Sequence, residues 1–172
     1  MISDLQRQTS ADFCHIIISN GTSAKIKQLV EKIRRTDKRF IYDEIAQEPT
    51  TDHASLLINL GKRRRYCLEK YSASWYHFFD ADAKIVDDDY IKKLKAQVGK
   101  QPQYDIFVNR IIHHGKLSEF PHDFDMANFS FSKKVAKNIP YPIDVDPRFP
   151  TGNDWRYFTM ISTPTNTYFA ND

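Results

Sequence analysis

The sequence has little glycine, five residues among 172, and little cysteine, only two. With so few glycines, and with no period of self-similarity and no low-complexity tract, a solenoid or a linker-divided chain is excluded. Cys14 and Cys67 have no cysteine or histidine near them at finger spacing. That excludes a zinc knuckle and a disulfide framework, and predicts two buried thiols. Long hydrophobic runs are missing as well. No stretch approaches the roughly 18 apolar residues that span a bilayer, and no basic segment followed by an apolar one opens the chain. The expected location is the cytoplasm, with a peripheral place at a membrane left open.

What is there suits a folded body. A hydrophobic fraction of 41% and a charged fraction of 27% exclude both disorder and a membrane-embedded chain. The length fits one domain, residues 1–172. The net charge of +3 is small but unevenly spread: bases gather at Lys62, Arg63, Arg64 and Arg65, and acids at Asp80, Asp82, Asp87, Asp88 and Asp89. This asymmetry suggests an anion site beside a cation site; the plainer reading is a solvated basic helix face.

Periodicity orders the elements. Ile2 to Gln8 reads as a short helix, and Phe13 to Ser19, with Ile16, Ile17 and Ile18, as a buried strand closed by the Asn20-Gly21 turn. Ile26, Leu29, Val30 and Ile33 follow helical spacing behind Ser23, a candidate N-cap. Phe40 to Tyr42 predicts a strand, Ala54 to Tyr71 a long helix, and Trp75 to Phe79 a strand. Ile91, Leu94 and Val98 then mark another helix, and Ile106 to Ile112 a strand returning near Lys116 to Phe120, with His113 and His114 in the turn. Prolines 140, 142, 147 and 150 require irregular chain, because proline lacks the amide donor. Asp154 to Met160 predicts a short helix after Gly152, and Thr167 to Phe169 a last strand. Strands alternating with helices predict an α/β fold with a mostly parallel central sheet.

In such sheets ligands collect beyond the carboxyl ends of the strands, where Asp80 and Asp82 fall. Two carboxylates one residue apart can hold a hard divalent cation, which can neutralise a diphosphate. Taken alone, an Asp-any-Asp triplet is more often a solvated turn. Here it follows the apolar run Trp75 to Phe79 and a helix carrying the basic cluster, from which Arg64 could reach a phosphate.

The segment GKRRRYCLEKYSASWYHFFDADAKI, Gly61 to Ile85, resembles the helix, strand and acidic motif of family 2 glycosyltransferases of the GT-A fold. LQRQTSADFCHIIISNGTS, Leu5 to Ser23, is similar to the family's early helix, strand and nucleotide-facing turn. FSFSKK, Phe129 to Lys134, and FPTGNDWRYF, Phe149 to Phe158, resemble its acceptor-side segments. The resemblance implies a single GT-A-like, Rossmann-like domain that moves a sugar from a nucleotide-diphosphate donor, most simply a UDP-sugar, to a hydroxyl on a glycan, a protein or another acceptor. It implies Asp80, Ala81 and Asp82 at the donor with Mn2+ or Mg2+ on the two aspartates. Arg64 would also face the donor, and Ser19 and Asn20 the base. Asp154 would be the general base of an inverting displacement, with Asn153 and Trp155 on the acceptor side. Without the resemblance, Asp154 reads as a helix N-terminal acid and Trp155 as a core anchor.

The chain departs from the family in three places. The usual first strand has no counterpart before the first helix, so the expectation is an N-terminally shortened sheet, a true start that lies upstream, or a gap filled by a partner chain, a second copy or the C-terminal strand; an unfilled gap would leave open strand edges. Ser19, Asn20 and Asn153 stand where acids are frequent, and no histidine follows His122. Two alternatives follow: a catalytically degenerate domain of the same fold that binds a ligand or partner, and a nucleic-acid surface built from the basic cluster with Tyr66, Tyr71 and Trp75.

Overall fold

The computed structural model describes residues 1–21, 23–46, 48–80, 83–109, 112–113, 116–117, 126–149 and 153–170. Helix α1 (Ile2–Arg7) leads into β1 (His15–Asn20), α2 (Ala24–Thr36), β2 (Phe40–Ile45), α3 (His53–Lys70) and β3 (Trp75–His77). Then come α4 (Tyr90–Lys100), β4 (Ile106–Val108), the two-residue strands β5 (Ile112–His113) and β6 (Lys116–Leu117), and β7 (Phe129–Ser132). Helices α5 (Lys133–Asn138) and α6 (Asn153–Ile161) precede β8 (Thr167–Phe169). The element order expected from periodicity therefore holds, with β7 and α5 added in the segment FSFSKK. β5 and β6 form the expected hairpin, whose turn at His114 lies outside the described residues, as do Pro150, Gly152 and the chain from 118 to 125.

The α/β class is as expected, and the strand directions are mixed. β1 and β2 pair in parallel, His15 opposite Phe40 through Asn20 opposite Ile45. A second sheet has the order β3-β7-β4-β8, in which β7 runs antiparallel to both β3 and β4, and β4 runs parallel to β8. Among the described residues β1 pairs only with β2, and β3 only with β7. Among the described residues each therefore has a ladder partner along one edge only.

Two hydrophobic clusters hold these layers. On one face of the larger sheet, Ile106, Val108, Phe129 and Phe131 pack against Tyr157, Phe158 and Ile161 of α6 and against Tyr141. These side chains share a face because alternate strand residues point the same way. The other cluster joins Leu5, Val30, Phe40 and Ile85, with Ile17, Phe79 and Tyr90 against it, so α1, α2 and α4 close over β1 and β2. Local chemistry sets the helix starts. Ser23 caps α2 by accepting from the Ile26 amide, Asp52 and Ser55 form a reciprocal capping box on α3, and Ser132 caps α5.

Polar ties fix the long-range contacts. Asp43 of β2 accepts from Tyr66, Lys70 and Tyr71 at 3.0, 2.9 and 2.7 Å and so pins the end of α3. Burial pushes its carboxyl up, but the bonds from Lys70, Tyr71 and Tyr66 outweigh that and hold it at about 2. The acidic run at 87–89 is structural: Asp88 pairs with Arg7, Asp87 with Lys93, and Asp89 accepts from Thr9. Cys67 is half-buried, and burial followed by the nearby Asp43 charge pushes its thiol up to about 11. Cys14 is exposed, against the expectation of a buried thiol, because it precedes the first paired residue of β1.

His77 sits in β3, its Nδ1 2.8 Å from Ser130 Oγ, and burial lowers its pKa to about 3. His15, at the start of β1, is lowered to about 4, first by burial and then by the N-terminal charge. Below about pH 6.5 the unfolded chain takes up protons that the folded one refuses, so stability should fall from there toward the folded pKa values. Urea denaturation at pH 6.5 and 4.5 should show this loss, with His77→Gln flattening it. An unchanged slope in that variant would assign the acid sensitivity elsewhere.

Candidate functional site

The geometry centres on Arg64, the third residue of the basic cluster. It lies mid-way along α3 and is only 5% exposed. Its Nη1 donates to the Asp154 carboxylate and, at 2.9 Å, to the hydroxyl of Tyr141. Its Nη2 donates to Asp80 Oδ1 at 3.4 Å. The guanidinium also faces the rings of Phe78 and Tyr141, with centroids 5.9 and 5.6 Å away. A buried cation needs carboxylates and fixed acceptors in place of water, and a guanidinium can serve several at once.

Tyr141 is fully buried, and its hydroxyl donates to the same Asp154 oxygen that Arg64 holds. Both donors thus meet Asp154 Oδ1. The Asp154 side chain is 23% exposed, and among the described residues its Oδ2 makes no hydrogen bond. Asp80, three residues beyond β3, has a side chain 43% exposed. One guanidinium thus links a carboxylate following β3 to another in the first turn of α6.

The backbone around Tyr141 is clamped from two sides. Arg65 Nε donates to the Tyr141 carbonyl at 2.7 Å, and Asn153 Nδ2 donates to the carbonyls of Pro142 and Asp144 at 3.3 and 3.1 Å. Gly61 lets this segment approach α3: a Cβ there would meet the Pro142 oxygen at 2.5 Å. The cluster is therefore no solvated face. Lys62 pairs with Glu48, Arg64 with the two aspartates, and Arg65 with the chain.

The residues expected from sequence divide into groups. Arg64, Asp80 and Asp154 come together. Ala81 and Asp82 lie outside the described residues. Asn153 is buried, with its amide on the 142–144 carbonyls, and Trp155 stacks on Phe158 at 5.5 Å beside the main core. Ser19, at the end of β1, donates to the Gly21 carbonyl at 2.8 Å, and Asn20 is exposed. Among the described residues no hydrogen bond joins either to the Arg64 cluster. Glu44 stands in register with Ser19, an acid on the neighbouring strand where the sequence reading looked for one in the turn itself. A cavity of about 220 Å³ between α2 and β2 includes Lys27, Arg34, Tyr42 and Glu44 in its walls and none of the Arg64 cluster.

Sequence reasoning missed Tyr141 and Gly61. Tyr141 sits between two prolines in irregular chain, where no periodicity predicts burial. Gly61 within a helix was the available signal, since glycine there weakens the helix unless a close approach requires it.

For a divalent cation, Asp80 supplies a partly exposed carboxylate, the hard oxygen donor that Mn2+ or Mg2+ takes. No group of three or more metal-ligating side chains occurs among the described residues. No protein-family model and no curated protein matches the chain. Solved structures do match it in fold. One is the mannosyltransferase PcManGT from Pyrobaculum calidifontis in complex with GDP-Man and Mn2+, at a TM-score of 0.68 and 12% identity. The likeness covers 99% of this chain and 50% of that one, so this chain spans about half the neighbour's length. At that identity the likeness is one of fold, that of a glycosyltransferase.

Arg64→Met should leave the partly exposed Asp80 and Asp154 without their cation and cost about 1–3 kcal/mol in urea denaturation. A loss below about 1 kcal/mol would mean that the ion pairs contribute little. Gly61→Ala should cost about 1–3 kcal/mol through the Pro142 contact. Gly99→Ala, in α4 with open space at the Cβ position, should instead be neutral or stabilising by up to about 1 kcal/mol.

Proposed function

We propose that this chain carries the donor site of a metal-dependent, inverting glycosyltransferase that moves a sugar from a nucleotide diphosphate to an acceptor hydroxyl. The observation that carries the reading is the convergence of Asp80 and Asp154 on buried Arg64, within a fold like that of a nucleotide-sugar enzyme. Asp80 and Asp82 would hold a divalent cation. When bound, it would screen the diphosphate charges and stabilise the leaving group.

Asp154 Oδ2 would accept the proton of the acceptor hydroxyl, since Oδ1 is occupied by Arg64 and Tyr141. The hydroxyl oxygen then bonds to the anomeric carbon while the bond to the nucleotide diphosphate breaks, its electron pair leaving with the phosphate. One displacement inverts the anomeric centre. Arg64, on the donor side through Asp80, would set the separation of the two carboxylates, and Ala81 would follow Asp80 along the donor. Ser19 and Asn20 would meet the base, and Asn153 and Trp155 would shape the acceptor side. The neighbour's guanosine donor makes GDP-sugars and UDP-sugars equal members of a test panel.

One observation favours a second reading, a domain of this fold that binds a donor without transferring it: the cation of Arg64 lies on the carboxylate that would act as base. Calorimetric titration of nucleotide diphosphates and their sugars, with and without manganese, separates the possibilities. Binding should require the metal and disappear in Asp82→Asn. Asp154→Asn should keep that binding and lower transfer by about 10²–10⁴-fold. Binding without turnover in the wild type would establish the second reading. Metal-independent binding, unchanged in Asp82→Asn, would remove the metal assignment.

A further inference from the structure

The 13 residues of α2 are AKIKQLVEKIRRT, which hold five bases, Lys25, Lys27, Lys32, Arg34 and Arg35, and one acid, Glu31. None of the five basic side chains makes a hydrogen bond or ion pair among the described residues. Other helices differ: Lys62 reaches Glu48, Lys70 Asp43, Lys93 Asp87 and Arg156 Asp144. The positive charge of α2 is therefore the part of the molecule's basic surface least compensated internally.

The same helix exposes aliphatic surface. Val30 is buried in the core, but Ile26 is 39% and Leu29 49% exposed. Ile26 and Leu29 lie three residues apart on one side of the buried Val30 stripe. Helical geometry sets Lys25 and Lys32 next to Leu29 on that side, each within four residues of it. Lys27 and Arg34 lie toward β2, where Glu31, Asp43 and Glu44 share the cavity wall with them. The uncompensated flank is thus Ile26, Leu29, Lys25 and Lys32.

We propose that this flank of α2 docks on an anionic lipid surface. Aliphatic side chains that enter the acyl boundary, flanked by long bases whose charged ends reach the headgroups, are what an interfacial helix requires. A nucleic acid would use the bases and leave Ile26 and Leu29 in water. No helix among the described residues is long and apolar enough to cross a membrane. α2 starts four residues after Asn20, so docking brings the carboxyl end of β1 to the lipid surface.

The test is co-sedimentation of the whole chain with vesicles of phosphatidylcholine alone and of phosphatidylcholine and phosphatidylserine at three to one. Binding should occur only with the anionic vesicles and weaken as salt rises. Lys25→Glu with Lys32→Glu should reduce it at least tenfold, and Leu29→Ser severalfold. These positions are at the surface, and circular dichroism melts should confirm that the variants fold. Absence of binding to anionic vesicles overturns the proposal, as does binding indifferent to phosphatidylserine. So does binding to heparin as tight as to vesicles and unaffected by Leu29→Ser, which would make the helix a general polyanion surface.

Discussion

Burying a guanidinium is costly unless charge and hydrogen bonds replace its water, and the order around Arg64 follows from that requirement. Its neutralising partners are 16 and 90 residues away in sequence, Asp80 and Asp154. The end of β3 and the start of α6 must therefore meet on α3. Tyr141 completes the cluster from a third element, accepting from Arg64 and donating to Asp154.

The clamp on residues 141–144 serves the same end. These residues lack regular secondary structure, so their carbonyls need acceptable donors from elsewhere. Arg65 and Asn153 provide them, and the missing side chain of Gly61 lets the segment lie against α3. Asn153, expected on the acceptor side from its place before Asp154, carries the strap that positions Tyr141. Three of the four bases in the cluster, Lys62, Arg64 and Arg65, have partners within the chain, which takes away much of the charge a nucleic-acid surface would need.

The two acidic groups that look alike in sequence part company in space. Asp87, Asp88 and Asp89 tie α1 and α4 together, while Asp80 stands partly exposed beside Arg64. Composition gave them equal weight as parts of one acidic patch. Only the positions of Arg7, Lys93, Thr9 and Arg64 distinguish the acids that tie helices together from the one that joins the Arg64 cluster.

Periodicity and capping were enough to locate the helices: Ser23 caps α2, the spacing of Ile26, Val30 and Ile33 marks its buried side, and α3 begins within a residue of its expected start. These are local properties, decided by neighbours within a turn. Strands β1 and β2 were legible for the same reason. β7 was not, because FSFSKK switches within six residues from strand to helix, and its place depends on β3 and β4 pairing along its two edges and on α6 packing against Phe129 and Phe131. Of the site, the sequence determined which side chains could carry charge chemistry: Arg64, Asp80 and Asp154. That they meet, that Tyr141 joins them, and that among the described residues Asp154 keeps one oxygen uncommitted were decided by tertiary structure alone, because the burial that sets these contacts comes from elements far apart in the chain.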